Sequence, residues 1–205
     1  TPAINTASSA VLNLAPNETI ENAFLYWAGC GPGDEEVNLN GVTITPQRSF
    51  AYQRFSNGNT YDYFSRYADI TAQVQATGNG TYTLSELDLN PWILYYAQNQ
   101  TNFGGWAIIV VIKSPTLPLN QLNVYDGMQA VPNAITITLN SLNVIDNQNS
   151  KIGFLAWEGD RNIAIGETLT INGDPISNPP LNPISNAFNG TNSFTNSSTL
   201  YNMDL

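Results

Sequence analysis

Apolar residues recur along this chain at alternate positions, in short runs that stop at Gly, Pro or Asn. That period of two, with β-branched and aromatic residues in the runs, predicts strands. No window of a dozen residues keeps a 3.6-residue period, so helix signals are weak. Strands are predicted at 10–14, 20–27, 37–39, 42–44, 81–87, 106–112, 122–125, 135–139, 152–157 and 167–171. The run at 23–28 is apolar without interruption, which predicts a central strand covered on both faces. The most apolar run, 106–112, is expected in mid-sheet. The stretch 90–103 reads as a loop that lies across the sandwich end and buries Trp92, Ile93, Leu94, Tyr95 and Tyr96.

Asn-Gly occurs at 40–41, 57–58, 79–80, 172–173 and 189–190. It is the preferred type I′ hairpin turn, because both central residues take positive φ. Five such pairs argue for antiparallel sheet. A two-residue turn at 57–58 sets Phe50 opposite Ser65, Tyr52 opposite Tyr63 and Arg54 opposite Tyr61. One face then carries an aromatic row, and Ala51, Gln53, Phe55, Asp62 and Phe64 share the other.

One stretch occurs twice. Phe24-Leu25-Tyr26-Trp27-Ala28-Gly29 leads through an acidic loop to Asn40-Gly41. Phe154-Leu155-Ala156-Trp157-Glu158-Gly159 leads through another to Asn172-Gly173. Internal repeats bear directly on architecture. The chain is therefore expected to be all-β, as two related jelly-roll-type antiparallel β-sandwich units, residues 1–114 and 115–205, joined near the two prolines of 114–118. Nothing matching the last strands of the first unit follows Leu205 in the second. The expectation is a second unit incomplete at its C-terminus, which either continues natively or is completed by a strand from another chain.

Composition narrows the function. Only 11% of residues are charged, and 16 carboxylates face six scattered bases. No basic patch can neutralise a row of phosphates, which argues against nucleic acid. The surface is solvated by amides and hydroxyls instead, as in exposed β proteins, and the expected location is extracellular or at the cell surface. Cys30 is the only cysteine and reads as a small buried residue. No apolar run reaches membrane-spanning length, and no membrane insertion is expected.

There is no His. That removes Ser-His-Asp and Cys-His nucleophile systems and His-type zinc sites. A two-carboxylate glycosidase could be assembled from residues such as Asp62, Asp69, Glu86, Asp88, Asp126, Glu158 and Asp160, but no spacing singles out a pair. The chain is expected not to be an enzyme. The candidate cation is calcium, a hard ion that takes oxygens from flexible loops. Its candidate ligands are Asp34, Glu35 and Glu36 in the first post-Trp loop, and Glu158 and Asp160 in the second. The alternative is that both loops are simply solvated. A sugar-stacking platform is the other candidate site, built from Tyr52, Tyr61, Tyr63 and Trp92, with core packing as the plainer reading of the same rings.

Several motifs in order carry a resemblance: the Phe24 stretch above, Tyr67-Ala68-Asp69-Ile70-Thr71, Asn79-Gly80-Thr81-Tyr82-Thr83, Gly104-Gly105-Trp106-Ala107-Ile108-Ile109-Val110, Val124-Tyr125-Asp126-Gly127 and Trp157-Glu158-Gly159-Asp160. The chain resembles non-catalytic β modules of large secreted Bacteroidetes surface proteins of the gliding-motility-associated or adhesin-like kind. The resemblance implies export, by the type IX route, and partners among other domains of the same protein or neighbouring subunits. The expected role is a non-enzymatic structural or adhesion module. The alternatives are a donor-strand-complemented filament subunit and a carbohydrate-binding module for a surface glycan.

Overall fold

Where Asn-Gly pairs close hairpins, they do so with the backbone that the turn requires. Asn40 and Gly41 take φ of 52° and 83°, Asn57 and Gly58 51° and 77°, and Asn172 and Gly173 53° and 92°. The other two pairs do not form such turns. Asn79 is held by its side chain, which accepts from Leu14 N at 2.6 Å and donates to Leu14 O at 3.1 Å. Asn189 is buried in a polar network. A side chain that already has partners overrides the turn preference of the dipeptide.

The computed structural model describes the chain except for residues 1–3, 5, 132–133, 145–147, 149, 158, 199–202 and 205, and describes 203–204 by backbone alone. Two compact units are present, Thr1–Asn143 and Val144–Leu205. The first is an antiparallel β-sandwich. Its elements are β1 (Ala7–Leu12), β2 (Thr19–Cys30), β3 (Val37–Leu39), β4 (Val42–Ile44), β5 (Arg48–Ser56), β6 (Asn59–Asp69), α1 (Thr71–Thr77), β7 (Gly80–Ser85), α2 (Asn90–Ala97) and β8 (Gly104–Lys113). One sheet has the order β1-β7-β3-β4 and the other β5-β6-β2-β8.

The buried run of β2 follows from its place between β6 and β8. Leu25, Trp27 and Cys30 are buried, and so are Tyr26 and Ala28, whose side chains alternate with Leu25 and Trp27. A strand covered on both faces needs no polar alternation, and its sequence shows none. The β5–β6 register is the expected one, with Phe50 opposite Ser65, Tyr52 opposite Tyr63 and Arg54 opposite Tyr61. The core of the sandwich gathers Leu25, Trp27, Val37, Leu39, Phe64, Tyr82, Leu84 and Leu89, with Val74 from α1.

Three expectations are corrected in this unit. The strand at 106–112 lies at the edge of its sheet, as β8, and not in its middle; among the described residues it pairs with β2. The stretch after residue 90 begins with a helix, α2, opened by a proline in its first turn. That helix buries Ile93 and Tyr96, while Trp92, Leu94 and Tyr95 stay largely exposed. A helix of eight residues docks along one side, so residues three or four apart share the buried stripe. Both helices are also shorter than any window in which a helical period can be recognised. Finally, residues 122–125 and 135–139 join no sheet, although their alternation is that of strands.

In the second unit the strands are two-residue ladders. β9 (Phe154–Leu155) pairs with β12 (Met203–Asp204), and β10 (Thr170–Ile171) with β11 (Asp174–Pro175). The Asn172-Gly173 hairpin thus matches its counterpart at Asn40-Gly41, while β9, which carries the second copy of the Phe-Leu stretch, is far shorter than β2. Order around 178–197 comes from amides. Asn182 Nδ2 donates to Ala187 O at 3.0 Å and to Thr191 Oγ1 at 3.2 Å, Thr191 Oγ1 donates to Asn189 Oδ1 at 2.7 Å, and Asn189 Nδ2 donates to Leu181 O at 3.0 Å. All three side chains are buried. Such groups stabilise only when mutually satisfied, because an unpaired buried amide costs about 1–3 kcal/mol.

Candidate functional site

The loop that leaves β2 is drawn in against the face of the sheet that carries Trp27. Trp27 Nε1 donates to Asp34 O at 3.0 Å. The Asp34 carboxylate accepts from Glu36 N at 3.3 Å with one oxygen and from Asp88 N at 2.7 Å with the other. Glu35 is paired with Arg66, whose Nε and Nη2 both donate to Glu35 Oε1. Arg66 sits on β6 opposite Trp27 and is buried. Its Nη1 donates to Phe50 O at 3.1 Å and Ser65 O at 3.2 Å. A guanidinium out of water needs both acceptors and a counter-charge. Glu35 supplies the charge, and Gly33 makes room, since a Cβ there would strike Nη2 of Arg66.

Of the candidate calcium ligands, Asp34 and Glu35 are therefore engaged by donors of the protein itself, and Glu36 faces solvent. Asp160 is exposed in the second unit, and Glu158 lies outside the described residues. No group of three or more Asp, Glu, Cys or His side chains among the described residues is arranged to hold a metal ion.

The aromatic candidates divide. Tyr61 and Tyr63 are buried under α2: Tyr61 stacks on Tyr95 at 5.1 Å, and Tyr63 on Phe103 at 5.7 Å, with Tyr96 edge-on to both. The Tyr96 hydroxyl donates to Asp62 O and accepts from Asp62 N, both at 2.7 Å. Burial pushes its pKa up to about 12. Tyr52 lies opposite Tyr63 and is half-buried. Trp92 rests its indole on Gly31 and stays 40% exposed, and Tyr95, stacked on Tyr61, stays 41% exposed. Two of the four proposed stacking rings thus have protein rings on them, and two keep exposed surface.

Sequence reasoning missed a second buttress. Arg48, at the start of β5, places its guanidinium 3.6 Å over the Tyr67 ring and binds Asp126 at 2.6 Å. Tyr67 also packs against Tyr26 and Phe24. Burial, and then the Asp126 charge, push the Tyr26 pKa up to about 12. The pair ties the strand-free segment after β8 to the sheet. A one-residue alternation over 48–54 shows which face Arg48 occupies, but no local signal in the sequence links it to Asp126.

The fold and these contacts define an antiparallel β-sandwich protein. Comparison with protein-family models, curated proteins and solved structures returns no match. Among the described residues no helix is long and apolar enough to cross a membrane.

Proposed function

We propose that the chain is a non-enzymatic structural or adhesion module of a large extracellular, cell-surface protein. The observation that carries this reading is the engagement of its reactive side chains as ties between loops and sheets. Glu35 neutralises Arg66, Asp126 neutralises Arg48, Asp62 accepts from Gln53, and Asp69 accepts from Thr71. Catalysis by two carboxylates needs a facing pair free in a cleft, whereas a module that holds its loops rigid uses carboxylates as these are used. The matching hairpins at Asn40-Gly41 and Asn172-Gly173 support the finer reading, two units of related jelly-roll type. Export and neighbours within a longer surface protein follow from the sequence resemblance.

Two measurements test this. Protease applied to intact cells of the source organism should cleave the protein; full protection by the cell envelope overturns the surface assignment. A glycan array with the wild type and the Trp92→Ala and Tyr52→Ala variants should show no specific binding. Binding that the variants abolish moves the assignment to a carbohydrate-binding module.

A further inference from the structure

Five Asn-Gly pairs share one chemistry and stand in different surroundings. Glycine has no Cβ, so its amide nitrogen can close on the carboxamide of the residue before it. The two groups are tethered, and tethering makes such a ring closure fast whenever the geometry is reached. Two things hold it back. Hydrogen bonds on the carboxamide or on the glycine amide must break first, and a clamped backbone must open to bring the groups together.

Three pairs are held. Asn40 Nδ2 donates to Thr81 O at 3.1 Å, and Asn40 Oδ1 accepts from Thr83 N at 2.7 Å. The nitrogen that would attack it, Gly41 N, donates to Asn38 Oδ1 at 2.7 Å. Asn79 is bonded through both side-chain polar atoms to the backbone of Leu14. Asn189 is buried, with Nδ2 on Leu181 O and Oδ1 accepting from Thr191 Oγ1.

The other two pairs are open. Asn57, Gly58, Asn172 and Gly173 are all exposed. Among the described residues neither carboxamide has a hydrogen-bond partner; Asn57 offers only its main-chain oxygen, to Asn59 Nδ2 at 3.4 Å. The amides of Gly58 and Gly173 meet no acceptor among those residues either, and no atom crowds the Cβ position of either glycine within 4 Å. The two differ in the ladder behind the turn. Nine residue pairs, from Arg48 with Tyr67 to Ser56 with Asn59, clamp Asn57-Gly58. Asn172-Gly173 is closed by two, Thr170 with Pro175 and Ile171 with Asp174, and by the bond from Ile176 N to Leu169 O at 2.9 Å. A short ladder opens at lower cost than a long one. The hairpins at 40–41 and 172–173, alike in backbone, are therefore opposite in reactivity.

We infer that Asn172, and more slowly Asn57, are sites of spontaneous deamidation, while the fold protects Asn40, Asn79 and Asn189. Gly173 N gives its proton to water or hydroxide and bonds to Asn172 Cγ. The Cγ–Nδ2 bond breaks, and the nitrogen leaves as ammonia. Water then opens the cyclic imide at either carbonyl and leaves Asp or an isoaspartyl link. The sum is an amide hydrolysis, with one water consumed, one ammonia released and no change of oxidation state. Each event adds a carboxylate to a chain of net charge −10. The isoaspartyl branch also adds a methylene to the main chain of the turn. A two-residue turn has few backbones that fit its strands, so that product loosens the β10–β11 hairpin. The inference goes beyond the module reading and stands whether or not the module serves adhesion.

Incubation of the whole chain at mildly alkaline pH, followed by peptide mapping with mass spectrometry, tests it. Asn172 should convert first and Asn57 second, each about tenfold or more ahead of the held pairs, where two side-chain hydrogen bonds must break. In concentrated denaturant the rates should draw together, which assigns the difference to the fold. Isoaspartyl methyltransferase should label the products at residues 172 and 57, the mark of passage through the cyclic imide. The inference is overturned by rates that are alike in the folded chain, by a held pair that converts first, or by a spread that persists in denaturant. Conversion of Asn57 ahead of Asn172 overturns the role given to ladder length, and Asp without any isoaspartyl label overturns the cyclisation step.

Discussion

Replacing Glu35 with Ala isolates the charge that keeps Arg66 inside the protein. The guanidinium would retain the Phe50 and Ser65 carbonyls but lose the Glu35 carboxylate. Two limits bracket the cost. Removing one partner of a fully buried pair costs about 3–5 kcal/mol, and an exposed pair contributes about 0–1 kcal/mol. This pair is mixed, with the Arg66 side chain 5% and the Glu35 side chain 63% accessible. Water reaches Glu35 and will reach part of the vacated space, so the cost falls between the limits, at about 2 kcal/mol. For a unit of this size that corresponds to a melting temperature lower by roughly 4–8 °C. The neighbouring Glu36→Ala change, at an exposed residue, serves as the control and should shift melting by no more than about 1 °C. Calorimetry of the two single variants, of Arg66→Met and of the Arg66→Met/Glu35→Ala double variant completes a thermodynamic cycle. The double variant should be more stable than Glu35→Ala alone, because no buried charge remains. If Glu35→Ala and Glu36→Ala melt together, or the cycle shows no coupling, the pair does not anchor the loop and the reasoning fails.

Trp27→Ala empties the centre of the sandwich and removes the bond to Asp34, so it should cost about 3–5 kcal/mol by denaturant titration. Gly31→Ala should cost about 1–3 kcal/mol, since Gly31 has φ of 106° and a Cβ there would lie 2.7 Å from the Trp92 ring; Gly31→Ala combined with Trp92→Ala should recover part of it. Tyr26 and Tyr96 have pKa values raised to about 12 from the ordinary 10.0. The unfolded chain therefore loses these protons first, and stability that is full below pH 10 should fall as pH climbs from about 10 to 12; a melting temperature flat across that window would contradict the burial of both hydroxyls. Excess EDTA should leave the melting curve unchanged, because both Asp34 carboxylate oxygens and Glu35 Oε1 already have donors; a lower melting temperature would show that a cation is bound.

Much of the first unit was legible in the sequence because its signals are local. The Asn57-Gly58 turn sets the register of β5 on β6 by itself, since a two-residue loop permits one pairing. The uninterrupted apolar run of β2 reports cover on both faces. The same rule misled at β8, where an equally apolar run lies at an edge. Apolar content measures how much surface must leave water, and says nothing about which neighbour covers it. The candidate sites were legible as residue types only. Tyr61 and Tyr63 form an aromatic row whether α2 lies on them or not, and Asp34 and Glu35 make an acidic loop whether or not Arg66 is near.

By itself the sequence determined the class of structure, the positions of three hairpins, the pairing within β5–β6 and the centrality of β2. These depend on turn stereochemistry and on side-chain period, which act over a few residues. Only the tertiary structure decided which sheet each strand joined, that Arg66 and Arg48 would meet Glu35 and Asp126, and that β8 would lie at the edge of its sheet. Those outcomes join residues far apart in the chain. The energies that select them, burial of a charge with its partner and of a ring beneath a helix, exist only once the sheets have closed on each other.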